Sequence, residues 1–204
     1  MIIKPFGENG ISLLQGNIKD DPSGEKTEKQ KLKNCCLTAN NVYTAEILDD
    51  LYDDVSDYIC SFLEESENTE QQKLSIQNGK LKNIPLDKKI VIDLVNKITS
   101  GFKKQTKILD IWAVSMKEGD FQLLHSHLGD DVSDYRRPGV SGALYLKIPK
   151  MKPPQGNVNF VSEGKVFSWS PKDGDYFVFP AHLIHGTYPF KGPGDRIMIS
   201  WNSI

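Results

Sequence analysis

Two spacings of hydrophobic residues divide the chain. Between Thr44 and Phe102 apolar positions recur every three or four residues, and from Lys107 onward every second residue. The first pattern predicts a helix capped by Thr44 and carrying Ile47, Leu48, Leu51, Tyr52, Val55, Tyr58, Ile59 and Phe62 on one face. A second helix starts near Asp87, with Ile90, Val91, Leu94, Val95, Ile98 and Phe102 inward. Between them, KLSIQNGKLKNIP carries the Asn78-Gly79 pair that favours a β-hairpin. Ahead of the helices, IIKPF and GISLL predict short strands about a glycine turn, followed by a polar surface loop, QGNIKDDPSGEKTEKQKLKN. The period-two part breaks into KILDIWAVSM, FQLLHSHL, VSGALYLKIP, NVNFV, KVFSW, DYFVFP, LIHGTYPF and DRIMISWN, separated by Gly and Pro. That order predicts a mainly β, α+β chain: an antiparallel sandwich or jelly roll with an N-terminal helical layer. At 204 residues one domain is expected over 1–204, its helical and strand layer 1–106 and its β core 107–204.

Composition narrows the partners only by exclusion. Lys and Arg number 25 against 27 Asp and Glu, a formal charge of −2 spread along the chain, so no basic stripe for nucleic acid stands out. No apolar run approaches the roughly 20 residues of a membrane span, and MIIKPFGENG lacks a signal peptide's basic and apolar regions, so a cytoplasmic protein is expected. Cys35, Cys36 and Cys60 show no CxxC spacing, and their odd number suits packing in a reducing compartment.

The chemistry gathers in the β half, which holds all four histidines: His125, His127, His182 and His185. On a strand, residues i and i+2 share a face at roughly 6.5–7 Å, so His125 and His127 can aim at one point. His182 and His185, three apart, cannot both point inward equally, and one of them can meet the first pair from a distant strand. Two imidazoles from one strand and a third from another leave coordination positions open, as a catalytic metal needs. Arg196 opens the last run, and a hairpin through FKGPGD would set it beside His185 on a neighbouring antiparallel strand. Two readings of Arg196 stand: a surface residue in a charged turn, or a buried guanidinium that binds the carboxylate of a cosubstrate.

The ordered series GDFQLLHSH, SGALYLKIP, GNVNF, PKDGDYFVFPAHLIHGTYP and DRIMISWN resembles the iron(II)- and 2-oxoglutarate-dependent oxygenases. It is most like a branch with HxH, SGxxYL, FPxxLxH and RIxxxxN motifs, known from bacteria and from phages of marine cyanobacteria. The likeness runs from Ile111 to Asn202. It implies a double-stranded β-helix, a jelly roll with ferrous iron at its mouth, and a dioxygenase that uses 2-oxoglutarate and O2 and releases succinate and CO2, with hydroxylation as the default outcome. By the same resemblance His125 and His185 are metal ligands, His185 rather than His182 because it ends FPxxLxH. Arg196 matches the residue that pairs with the distal carboxylate of 2-oxoglutarate, and Tyr145 falls where relatives hydrogen-bond the cosubstrate.

Two positions depart from the wider superfamily. His127 stands where an Asp or Glu ligand is usual, giving three histidines unless Asp130 or Asp131 reaches in. Met198 replaces the Ser of an RxS pair, with Ser200 on the same face as a substitute. A cupin would use His125, His127, Asp131 and His185 and has no need of Arg196; three histidines also suit a hydrolytic zinc. The primary substrate is not legible: GDDVSDYRRPG, with Arg136 and Arg137, and the polar region Gln15 to Asn34 are the segments that could select it.

Overall fold

A computed structural model of the chain describes residues 2–6, 11–17, 45–65, 76–77, 79–100, 107–127, 139–162 and 164–204. Its strands are β1 (Ile2–Phe6), β2 (Ile11–Asn17), β3 (Ile76–Gln77), β4 (Lys80–Asn83), β5 (Ile108–Met116), β6 (Phe121–His125), β7 (Val140–Lys147), β8 (Val158–Ser162), β9 (Lys165–Trp169), β10 (Asp175–Pro180), β11 (Ile184–Thr187) and β12 (Arg196–Ser203). Its helices are α1 (Ala45–Glu64) and α2 (Lys89–Ser100). All eight runs of the period-two half form strands, and the first two short strands pair as predicted, Ile2 opposite Gln15. The predicted polar loop is corrected at its start, since Gln15, Gly16 and Asn17 belong to β2; its remainder, 18–34, lies with Thr44 and Phe102 outside the described residues.

The strands form two antiparallel sheets, a larger one in the order β1-β2-β10-β7-β12-β5-β4 and a smaller one in the order β3-β6-β11-β8-β9. From β5 to β12 the chain changes sheet at every connection but the β8–β9 hairpin, which is the winding of a double-stranded β-helix. That winding corrects two expectations. The strands flanking Asn78-Gly79 do not pair with each other: β3 joins β6 and β4 joins β5, so this segment bridges the two sheets at one edge. Likewise β11 and β12 are not neighbours, because the connection containing FKGPGD crosses the sandwich instead of folding back as a hairpin. A crossing loop and a hairpin loop share the same glycines, and only the pairing partners distinguish them.

The larger sheet is buried on both faces. Its outward positions, among them Ile111, Ala113, Leu144, Leu146, Val178, Ile199 and Trp201, pack with Tyr52, Val55 and Ile59 of α1 and Val91, Leu94 and Val95 of α2. Its inward positions, including Val114, Ala143, Tyr145, Phe177, Phe179 and Met198, meet Val158 and Phe160 of the smaller sheet. The Tyr52 hydroxyl donates to the Leu146 carbonyl at 2.7 Å and pins α1 to β7. Gly142 is dictated by its neighbour, since a Cβ there would overlap the indole of Trp201 on the adjacent strand. Cys60 is a free thiol packed at the margin of the helical layer, in line with a packing role.

Candidate metal and cosubstrate site

The site lies between the sheets, at the end where β6 and β11 run side by side. His125 and His185 are direct cross-strand partners, and their rings lie 4.3 Å apart. Gly186 permits this approach, because a Cβ at that position would lie 2.8 Å from the Gln122 carbonyl oxygen of β6. His127 sits just past the end of β6, held by its backbone N–H, which donates to the Ala181 carbonyl at 2.9 Å. Its ring is 5.2 Å from that of His125 and 4.9 Å from that of His185. One ligand atom from each of the three lies within 4.8 Å of the other two, and no carboxylate joins the group among the described residues. Asp130 and Asp131 lie outside those residues. His182 is exposed in the turn before β11 and stays out of the cluster.

Hydrogen bonding fixes which nitrogen each ring offers. Nδ1–H of His125 donates to the Leu123 carbonyl at 2.8 Å, that of His185 to the Leu183 carbonyl at 3.0 Å, and that of His127 to Oδ1 of Asn202 at 2.6 Å. In each case the acceptor is an oxygen, so the proton sits on Nδ1 and the Nε2 lone pair is free for a metal. The Gln122 amide takes up His125 Nε2 at 3.3 Å, a contact that a metal would replace. The rings are also neutral. Burial pulls all three below the ordinary histidine range, His127 to about 4 and His185 strongly as well, with the neighbouring imidazoles adding to the effect at both. A neutral imidazole has no proton to lose before it binds metal.

Asn202 is a residue that sequence reasoning passed over as a mere motif letter. It accepts from His127 and from the Ser141 hydroxyl, at 2.7 Å, on one oxygen, and so orients the third histidine from the last strand. Strand alternation carries the signal: Arg196, Met198, Ser200 and Asn202 share the inward face of β12. Counting two from His185 finds Thr187 in the same way, buried and lining the inner cavity.

Deeper in the sandwich, Arg196 is fully buried, its guanidinium carbon 4.9 Å from the centre of the Tyr145 ring. Nη1 donates to the Gly156 carbonyl at 2.6 Å, while Nε and Nη2 have no partner. Burial lowers the Arg196 pKa and Tyr145 opposes the shift; burial raises the Tyr145 phenol and the arginine charge pulls it part of the way back. An enclosed cation with two idle donors and no carboxylate among the described residues within ion-pair distance is incomplete by itself. An anionic oxygen is what it lacks. Tyr145, whose ring faces the Arg196 guanidinium, lines with Thr187, Met198 and Ser200 an inner cavity of about 20 Å³ that His127 and His185 also border. That is room for about one water.

The comparisons with known proteins point the same way. Residues 110–202 match the family described as "Putative 2OG-Fe(II) oxygenase". A prolyl-4-hydroxylase of Pseudomonas putida superposes with a TM-score of 0.57 at 17% identity, over 75% of this chain and 85% of that one. A collagen prolyl hydroxylase of Paramecium bursaria Chlorella virus-1, in complex with 2-oxoglutarate, gives 0.55 at 19% identity, over 76% and 90%. HygX of Streptomyces hygroscopicus, with nickel, 2-oxoglutarate and hygromycin B bound, gives 0.56 at 14% identity, over 87% and 86%. No curated protein matches the chain in sequence. At such identities the superpositions speak for the fold, and the match to the 2OG-Fe(II) oxygenase family covers the stretch of chain that carries the three histidines and Arg196.

Proposed function

We propose that the chain is a single-domain dioxygenase in which His125, His127 and His185 hold ferrous iron and Arg196, with Tyr145 beside it, binds the distal carboxylate of 2-oxoglutarate. The chemistry supplied by bound iron is the coupling of two oxidations: 2-oxoglutarate and O2 become succinate and CO2, and the second oxygen atom goes to a C–H bond of the substrate as a hydroxyl group. The observation that carries the reading is the grouping of three neutral imidazoles in one buried corner of the sandwich, together with a fully buried guanidinium, two of whose nitrogens lack an acceptor, standing over Tyr145 of the same inner cavity.

The chain's own residues divide the work. Leu123, Leu183 and Asn202 keep the three rings in the binding tautomer. Arg196 fixes the cosubstrate through a planar fork, while Thr187 and Ser200 line its path with hydroxyl groups. Phe160, Phe177 and Phe179 close the cavity with apolar surface and keep water from the reacting centre. With imidazole in place of the usual carboxylate, the ligand set brings no negative charge to the iron, which favours anionic cosubstrate binding. No helix among the described residues is long and apolar enough to cross a membrane. A cytoplasmic location, that of the host if the gene is a phage's, fits an enzyme that keeps iron ferrous.

Anaerobic titration tests the reading. Iron(II) followed by 2-oxoglutarate should produce a weak visible charge-transfer band, absent in His185→Ala and weakened in Arg196→Ala. Absence of the band in the parent protein, together with no succinate formed in air, would sink the proposal. Stoichiometric zinc carried through purification with hydrolase activity would favour the zinc reading instead.

A further inference from the structure

Beside His125 and His127 the sandwich opens into a cleft of about 510 Å³. That size takes a small organic molecule or one side chain of a larger one. Leu81 and Leu86, from β4 and the turn after it, form one wall and Trp112 of β5 the other, with Asn83 and Gln122 as neutral polar groups. Apart from the two histidines, Asp110 is the only ionisable residue among the described residues that line it, and no Lys or Arg does. Asp110 lies two residues before Trp112 on β5 and directly opposite Asn202, the residue that holds His127. Its carboxylate is thus one side chain removed from the metal cluster.

We propose that this cleft receives a substrate bearing a protonated amine or guanidine on an apolar body, and that Asp110 is the group that selects it. The inference rests on the oxygenase reading for the word substrate, but not for the binding itself. A lone carboxylate in a neutral, half-enclosed wall attracts a cation and repels an anion, because no basic group among the described residues offsets it. Asp110 is exposed at the edge of the cleft, yet loss of hydration among its neighbours raises its carboxyl above its ordinary range, with hydrogen bonds from Asn202 opposing the rise. A cation would restore what that loss has taken from it. The Trp112 ring adds a surface on which an alkylammonium or guanidinium group can lie. Among the described residues that line the cleft, a phosphate-rich ligand finds no basic group to bind.

The test uses the full chain loaded anaerobically with iron(II) and 2-oxoglutarate, with n-hexylamine, agmatine and hexanoate as probes followed by tryptophan emission. Both cations should bind saturably and hexanoate at least about tenfold more weakly, and Asp110→Asn should weaken the cations about tenfold, the loss of one charge-assisted hydrogen bond. The charge-transfer band should survive that substitution. Equal binding of hexanoate and hexylamine, unchanged cation affinity in Asp110→Asn, or no saturable binding of either cation would overturn the proposal. A missing band with the cation preference intact would instead count against the iron and cosubstrate assignment and leave the cation site standing.

Discussion

The two ends of the site differ in how finished they are. At the histidine end every Nδ1–H already has its oxygen, and the rings stand neutral with their lone pairs convergent. At the Arg196 end one nitrogen is bonded to Gly156 and two are idle inside the protein. An unpartnered buried donor costs about 1–3 kcal/mol, more when it is charged. The fold therefore carries a deficit at one end that only a bound anion removes, while the other end is preorganised and needs nothing from a ligand to keep its shape. On the proposed assignment an order of assembly follows: the metal would find a ready site, and the cosubstrate would complete an unready one.

Removing the support from the ready end should have the largest effect. Asn202→Ala leaves His127 without its acceptor and free to rotate or to change tautomer, and loss of such an orienting partner typically weakens metal binding by about 10–100-fold. Equilibrium dialysis against a metal buffer measures it, and the 2-oxoglutarate affinity of the fully loaded variant should move little. An unchanged metal affinity would mean that the histidines are held by packing alone. At the unready end, Arg196→Lys keeps the charge but replaces a planar fork by a point donor, and the 2-oxoglutarate KM should rise about tenfold, one charge-assisted hydrogen bond. Iron affinity should stay as it was, which separates the two ends cleanly.

How much of this was legible in the chain depends on whether the information is local. Alternation along one strand is local, so all eight strands of the β half, the shared aim of His125 and His127, and the inward row from Arg196 to Asn202 could be read from spacing. Pairing is not local. FKGPGD reads as a hairpin, and only the winding of the two sheets sends β11 and β12 apart, so that His185 and Arg196 come from opposite walls instead of adjacent strands. The same limit applied at Asn78-Gly79, where turn chemistry is no guide to the pairing partners of the strands on either side. Asp110 escaped notice for a related reason: its neighbours in the cleft come from β4 and β6, distant in sequence.

Acid should sharpen the contrast, since it reaches one end only. The imidazoles titrate lower in the folded protein than the ordinary 6.5, His127 near 4. Below pH 6.5 the unfolded chain takes up protons that the folded one refuses, so the metal-free protein should keep its stability above that value and lose it steadily as pH falls toward 4. Arg196 stays charged throughout this window and contributes nothing to the slope. Urea midpoints at several pH values give the measurement, and His127→Gln should flatten the curve. A pH-independent midpoint between 6.5 and 4 would contradict the neutral, buried state assigned to the rings.

The smallest effect is expected at Ser200, and it bears on what replaces the missing Ser at position 198. Ser200 is buried, lines the inner cavity and shares the inward face of β12 with Arg196. If its hydroxyl takes part in holding the cosubstrate, Ser200→Ala removes one neutral hydrogen bond, worth about 0.5–1.5 kcal/mol, and the 2-oxoglutarate KM rises by a factor of roughly 2–10. Met198→Ser supplies the complementary test, because it both restores a hydroxyl and opens the cavity that the thioether fills. KM should fall in that variant, and in its background Ser200→Ala should raise KM by clearly less than it does in the parent protein. Additive, independent changes would show that the two positions do not share one carboxylate; compensation would show that this strand has moved the hydroxyl by one alternation, from 198 to 200, without moving the arginine.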